Sequence, residues 1–147
     1  MGVDFELYRV RKQNRYNTYT LDDIFELEYC GRAYIIDTIN EIIQSVLKYD
    51  SPFILINRDK SDNILSNVDK YNEDYNKAIN LITNTNIMEE FNKLSLSNIK
   101  QVIEDKTRRT EYIEDNITDN WELHIFKERF NTLMRLVLNG YIYYDLF

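Results

Sequence analysis

The sequence predicts a predominantly helical α+β fold, with four or five helices and a small sheet that involves the N-terminal strand. Apolar residues recur at helical spacing through most of the chain after residue 30, whereas the first residues alternate between apolar and polar. The chain has 147 residues, of which 44% are hydrophobic and 29% are charged. That length and composition are typical of one folded unit, so we predict a single compact domain over residues 1–147.

The chain is predicted to begin with a strand. Residues 3–7 alternate apolar and polar side chains, and the change of phase at Tyr8 indicates a bulge or the end of the strand. Residues 12–20 are polar and lack periodicity, which predicts a loop. Thr20 is a fair N-cap, and with Asp22 and Asp23 in the first turn it predicts a short helix that ends near residue 28.

The helices that follow are predicted from their apolar stripes and caps. The strongest extends over about residues 30–49 and ends before Pro52, after which residues 53–56 read as a short strand. Further helices are predicted over about residues 61–83, 87–94, 97–106 and 119–138. Gly140 follows the last one as a C′ glycine. The aromatic segment 141–147 is predicted to be packed and is a candidate strand beside the first one.

The charge distribution directs the functional prediction. The formal net charge is −7, which disfavours general nucleic-acid binding and fits either a basic partner or plain solubility. We therefore expect exposed carboxylates to form a partner-binding face. The candidates are Asp22, Asp23, Glu26, Asp37, Glu41, Glu111, Glu114 and Asp115. Asp37 and Glu41 are one turn apart on the polar face of the strongest helix, where we expect them in solvent.

The residue inventory argues against catalysis and cofactors. One cysteine, Cys30, and one histidine, His124, are too few for a zinc site, and their pairing as nucleophile and base is improbable. The three glycines are isolated, so no phosphate-binding loop exists. We predict no enzymatic activity, no metal and no cofactor. No apolar run reaches the length of a membrane span, and a single-cysteine chain without a signal-like start predicts the host cytoplasm.

The N-terminus supports an alternative function. It is the one basic part of the chain, and its cations are interleaved with tyrosines, a combination that can follow a nucleic-acid backbone and stack bases. The residues are Tyr8, Arg9, Arg11, Lys12, Arg15 and Tyr16. The same pattern is also ordinary on the solvent face of an edge strand.

Three short stretches resemble a group of small phage-encoded proteins of unknown function. The opening MGVDFELY is similar to their MGLDMYLY strand, EYCGRA to their GYWRKA helix start, and DNW to their DEW segment. The resemblance covers about 20 positions and implies an accessory protein of a phage or mobile element. We therefore expect it to act by protein–protein interaction on a host protein, for example as an inhibitor of a CRISPR-associated nuclease.

A second resemblance gives another alternative. The length, acidity and many helices are similar to those of the Bcl-2-like helical decoys of poxviruses, and Asn120-Trp121 resembles the start of their NWGR turn. The alternating N-terminal strand argues against an all-helical bundle of that kind.

Overall fold

The computed structural model describes residues 5–13, 18–26, 32–49, 55–57 and 68–146. In these residues the strands are β1 (Phe5–Gln13), β2 (Thr18–Glu26), β3 (Ile56–Asn57) and β4 (Tyr143–Leu146). The helices are α1 (Ala33–Glu41), continued by a π-helical turn (Ile42–Val46), α2 (Val68–Thr83), α3 (Ile87–Asn92), α4 (Leu96–Glu104), α5 (Glu111–Asn116) and α6 (Asn120–Leu138). The predicted predominance of helix is confirmed. The described residues hold six α-helices, not four or five, because α5 is separate from α4.

The strands form one sheet in the order β2-β1-β4-β3. β1 is antiparallel to both β2 and β4, whereas β3 is parallel to β4. A register shift between Tyr8 and Arg9 lies where the apolar alternation changes phase. β1 therefore carries Leu7 into the core and is the strand against which both β2 and β4 align.

The predicted short helix after Thr20 is wrong, because residues 18–26 form β2. Its threonines and aromatic and β-branched residues favour a strand, and β2 pairs with β1 from Glu26 opposite Glu6 to Thr18 opposite Gln13. Asp22 and Asp23 consequently lie in a strand rather than in the first turn of a helix. The predicted loop over residues 12–20 is also too long, since the two strands extend into it.

The caps of the later helices follow local side-chain chemistry. Ser95 caps α4 through a capping box with Asn98, so the helix begins at Leu96, one residue before the predicted start. Asp119 caps α6, at the predicted start of that helix, by accepting a hydrogen bond from the backbone N–H of Glu122. Gly140 has a φ of 98°, the left-handed conformation expected of a C′ glycine, and it redirects the chain into β4.

The core lies between the helices and the sheet. Phe91 of α3 and Phe130 of α6 stack with their ring centroids 3.9 Å apart. Tyr141, Ile142 and Tyr143 are buried, which confirms the prediction that the C-terminal segment is packed, as far as Tyr143. The Tyr143 hydroxyl donates a hydrogen bond of 3.1 Å to the carboxylate of the buried Asp74 in α2.

This packing predicts that Tyr143→Ala lowers the free energy of unfolding by about 3–5 kcal/mol, because a fully buried aromatic ring and its hydrogen bond are lost. Tyr34→Ala is the matched control, since Tyr34 is 44% exposed whereas Tyr143 is 0% exposed. Urea titrations of both variants provide the comparison. Equal losses in the two variants would contradict the assigned packing of β4.

Candidate interaction surface

A stripe of buried polar side chains joins α1 and its π-helical turn to the segment between α4 and α5. Thr38, Glu41 and Ser45 are all buried and lie about one and two turns apart on one side of the helix. Each is bound by a residue far away in sequence. This stripe determines where α5 lies.

The two ends of the stripe bind the beginning and the end of the α5 region. At one end the Ser45 hydroxyl donates to the carbonyl of Arg109 at 2.8 Å, and the Arg108 guanidinium donates to the Ser45 carbonyl at 3.1 Å. At the other end the Asn116 amide donates to the Thr38 hydroxyl at 3.1 Å. The segment is therefore attached to α1 at both ends.

The carboxylate of Glu41 lies at the centre of the stripe. It accepts hydrogen bonds from the backbone N–H groups of Tyr112 at 3.1 and 3.2 Å and of Ile113 at 3.4 Å. These are unpaired donors of the first turn of α5, where a negative charge is favourable. The expectation that Glu41 lies in solvent is wrong, because α5 covers this face of α1 and leaves the residue 5% exposed.

Burial raises the pKa of the Glu41 carboxyl above its ordinary value of 4.5. The two backbone hydrogen bonds and the charge of Arg109 oppose this shift, and the charge of Glu111 adds to it. The Arg109 Nε lies 3.8 Å from the Glu41 carboxylate and 3.4 Å from that of Glu111. Desolvation is the largest of these effects, so the carboxyl gains protons more readily in the folded protein than in the unfolded chain.

With Glu41 bound to its N-terminus, α5 directs its three acidic residues outward. Glu111, Glu114 and Asp115 are all exposed. Glu111 pairs with the exposed Arg109, and Glu114 accepts a 3.2 Å hydrogen bond from the Thr110 hydroxyl. These three predicted candidates therefore lie together on one short helix.

The start of α6 continues this acidic surface. Residues 110–126 contain five acidic side chains, one histidine and no lysine or arginine. We name these five carboxylates, together with Trp121, the α5–α6 corner: Glu111, Glu114, Asp115, Asp119, Trp121 and Glu122. Trp121 is 68% exposed, so the corner combines negative charge with a large apolar ring.

Trp121 was not among the predicted site residues, although a signal for it exists in the sequence. The apolar stripe of α6 begins at Leu123, and two residues in a helix correspond to a rotation of about 200°. The indole at position 121 therefore falls on the side of the helix opposite the stripe. An aromatic residue at such a position is expected in solvent.

His124 and Glu128 lie on the same face of α6 as Trp121. The His124 ring centroid is 6.2 Å from that of Trp121, with the two planes tilted by 35°. Its Nε2 lies 3.1 Å from the Glu128 carboxylate, and both side chains are exposed. His124 is thus a surface residue. The suggested pairing with Cys30 lies outside the described residues, because Cys30 does.

The other predicted acidic residues do not join the corner in the part of the chain that is described. Asp37 is half-buried and faces β4, where burial, and then the charge of Asp37, raises the pKa of Tyr144. The backbones of Asp22, Asp23 and Glu26 lie in β2, and their side chains are outside the description.

The alternative nucleic-acid site is described only at one side chain. Arg9 donates a 3.3 Å hydrogen bond to the Asn139 carbonyl, and its guanidinium carbon lies 5.2 Å from the centroid of the Tyr141 ring. Tyr8, Arg11 and Lys12 belong to β1 without described side chains, and Arg15 and Tyr16 lie outside the described residues. Arg9 is therefore used to hold the chain after α6 against the sheet.

An open groove of about 450 Å³ lies between the π-helical turn and the helices α3 and α4. Its apolar lining comes from Val46, Leu47, Leu94 and Val102. The cation Lys93 on its rim is paired with Glu89 at 2.6 Å. Lys48 and Glu90 also line the groove, and none of its lining residues belongs to the corner.

The described residues contain no group of three or more His, Cys, Asp or Glu side chains placed to hold a metal ion. Within the same residues, every helix is too short or too polar to cross a bilayer. Comparison with protein-family models, with curated proteins and with solved structures gives no match.

The raised pKa of Glu41 predicts a specific pH dependence of stability. Because the folded protein holds this proton more tightly than the unfolded chain, the contribution of Glu41 to stability falls as pH rises from 4.5 towards the raised folded value. Glu41→Gln removes the titration but keeps one carbonyl acceptor for α5. The free energy of unfolding of the wild type relative to Glu41→Gln should therefore decrease from about pH 4 to about pH 7.

Urea titrations at several pH values measure this difference. Glu111→Gln is the control, since it removes an exposed carboxylate next to the same arginine. A difference between wild type and Glu41→Gln that is constant with pH would show that the Glu41 carboxyl is not desolvated.

Proposed function

We propose that this protein acts by protein–protein interaction and that it binds a basic partner through the α5–α6 corner. The observation that carries the proposal is the run of five acidic residues and no lysine or arginine in 110–126, with Trp121 exposed among them. Exposed carboxylates that are not interspersed with lysine or arginine attract a basic surface over a distance of about 8 Å at physiological ionic strength.

The corner also has the composition of a binding surface that can retain its partner. Charged residues at an interface mostly set the association rate, whereas buried aromatic anchors determine how slowly a complex dissociates. Tryptophan is the residue type most enriched among such anchors. Trp121 and the carboxylates close to it in sequence therefore supply both requirements.

The resemblance to small phage-encoded proteins supports a narrower form of the proposal. In that form the partner is a host defence protein, such as a CRISPR-associated nuclease, whose groove for nucleic acid is basic. The carboxylates of Glu111, Glu114 and Asp115 would occupy positions that phosphates otherwise take, and binding would exclude the nucleic acid. This mode of action requires no catalytic activity of the protein itself.

Charge reversal of α5 tests the proposal. Glu111→Lys, Glu114→Lys and Asp115→Lys combined should abolish salt-sensitive capture of a basic protein from host lysate, because three attractions become repulsions. Affinity for the captured protein, measured from low to high salt, should fall steeply for the wild type and little for the variant. Association should slow more than dissociation accelerates.

Two controls locate the effect. Glu73→Lys reverses an exposed carboxylate of α2, outside the corner, and should leave binding within about twofold. Asp22→Lys, Asp23→Lys and Glu26→Lys combined test whether β2 contributes the acidic face instead. Loss of binding only in this second triple variant, or affinity that does not respond to salt, would refute the α5–α6 corner.

A further inference from the structure

The exposure of Trp121 is the most unusual surface feature of the described residues. Among them the other exposed large apolar side chains are Tyr34 and Leu138, at 44% and 39%, against 68% for Trp121. Trp121 is also the only tryptophan in the 147 residues. Tryptophan is highly buried on average, so an indole held in water marks a position where a ligand or partner gains contact area.

The turn that carries Trp121 is held in place before any partner binds. The Asp119 carboxylate accepts the backbone N–H of Glu122 at 2.8 Å. The Glu122 carboxylate in turn accepts hydrogen bonds from the backbone N–H and the hydroxyl of Thr118. A ring on a fixed backbone loses little entropy on binding, which favours its use as an anchor.

The charges around the indole select the kind of group that can approach it. On the helix face that carries the indole, the nearest printed neighbour is His124, whose ring centroid is 6.2 Å away and whose Nε2 lies 3.1 Å from the Glu128 carboxylate. Asp119 and Glu122 add two negative charges close to Trp121 in sequence, at the same end of α6. The nearest lysine or arginine later in the chain is Lys127, whose ammonium donates a hydrogen bond to the Leu94 carbonyl at 2.5 Å. Anionic groups such as phosphates are therefore repelled here, and cations are attracted.

We propose that Trp121 captures an arginine side chain of the basic partner by stacking against its guanidinium. This inference rests on the proposed function and names the group that the corner recognises. Guanidinium is planar and weakly hydrated, so it stacks on an indole and donates to neighbouring carboxylates at the same time. Ammonium is a compact and strongly hydrated charge, for which the carboxylates provide attraction but the ring provides less.

Hexaarginine and hexalysine peptides test this selection, because they carry the same charge. With a fluorescent label on each peptide, anisotropy titrations at low salt should give affinities that favour hexaarginine by about two- to fivefold. The single tryptophan provides an independent readout, since its own fluorescence reports only on position 121. Unlabelled hexaarginine should change this emission more than hexalysine does at equal saturation.

Two variants test whether the preference for hexaarginine over hexalysine depends on the Trp121 indole. Trp121→Leu should bind both peptides with equal affinity and keep the salt dependence, because the carboxylates are intact. Leu138→Ala, at the other end of α6, is the matched control and should keep the arginine preference.

Each result has a distinct meaning. Equal affinity of the wild type for the two peptides, with unchanged binding in Trp121→Leu, would overturn the arginine-capturing role and leave the proposed function intact. Failure of both peptides to bind in a salt-dependent manner would overturn the proposed function as well. Binding of a single-stranded RNA oligonucleotide with a change of tryptophan emission, in place of hexaarginine, would overturn both.

Discussion

The hydrogen bonds from the first turn of α5 to the buried carboxylate of Glu41 are the constraint on which this surface depends. A carboxylate inside a protein is tolerated only when its oxygens are paired, and here the partners are backbone N–H groups that would themselves be unsatisfied. The pairing therefore meets two requirements at once. Removing either partner would leave the other buried without compensation, which ties the position of α5 to α1.

The exposed acidic surface is a consequence of this interior arrangement. Because Thr38, Glu41 and Ser45 bind the inner side of the α5 region, the acidic residues of α5 are left on the outer side. Ile113 and Ile117 are buried and fix the other end of the turn that leads to α6. The exposure of Glu111, Glu114 and Asp115 thus follows from the packing beneath α5.

Sequence reasoning recovered those features that depend on local chemistry. The apolar stripe located α6 and the backbone freedom of Gly140 located its end, and a short helix was also predicted where α3 lies. Sequence reasoning failed where contacts between distant segments of the chain determine the local structure. Asp22 and Asp23 suit a first helical turn locally, but pairing with β1 places them in a strand. Glu41 occupies a polar position of its helix. The residues near it in sequence give no indication that α5, about 70 residues later, buries it.

The carboxylates and the indole of the corner are expected to contribute to different steps of binding, for a physical reason. Attraction by exposed carboxylates acts before contact and weakens with salt, so it governs how often a basic partner arrives. Contact with an indole acts only at short range and depends little on salt, so it governs how long the partner stays. Carboxylates alone would hold any cation, and a lone tryptophan would hold many apolar groups. In the proposed complex the two together favour a cation with a flat, weakly hydrated face, and among side chains that description fits arginine.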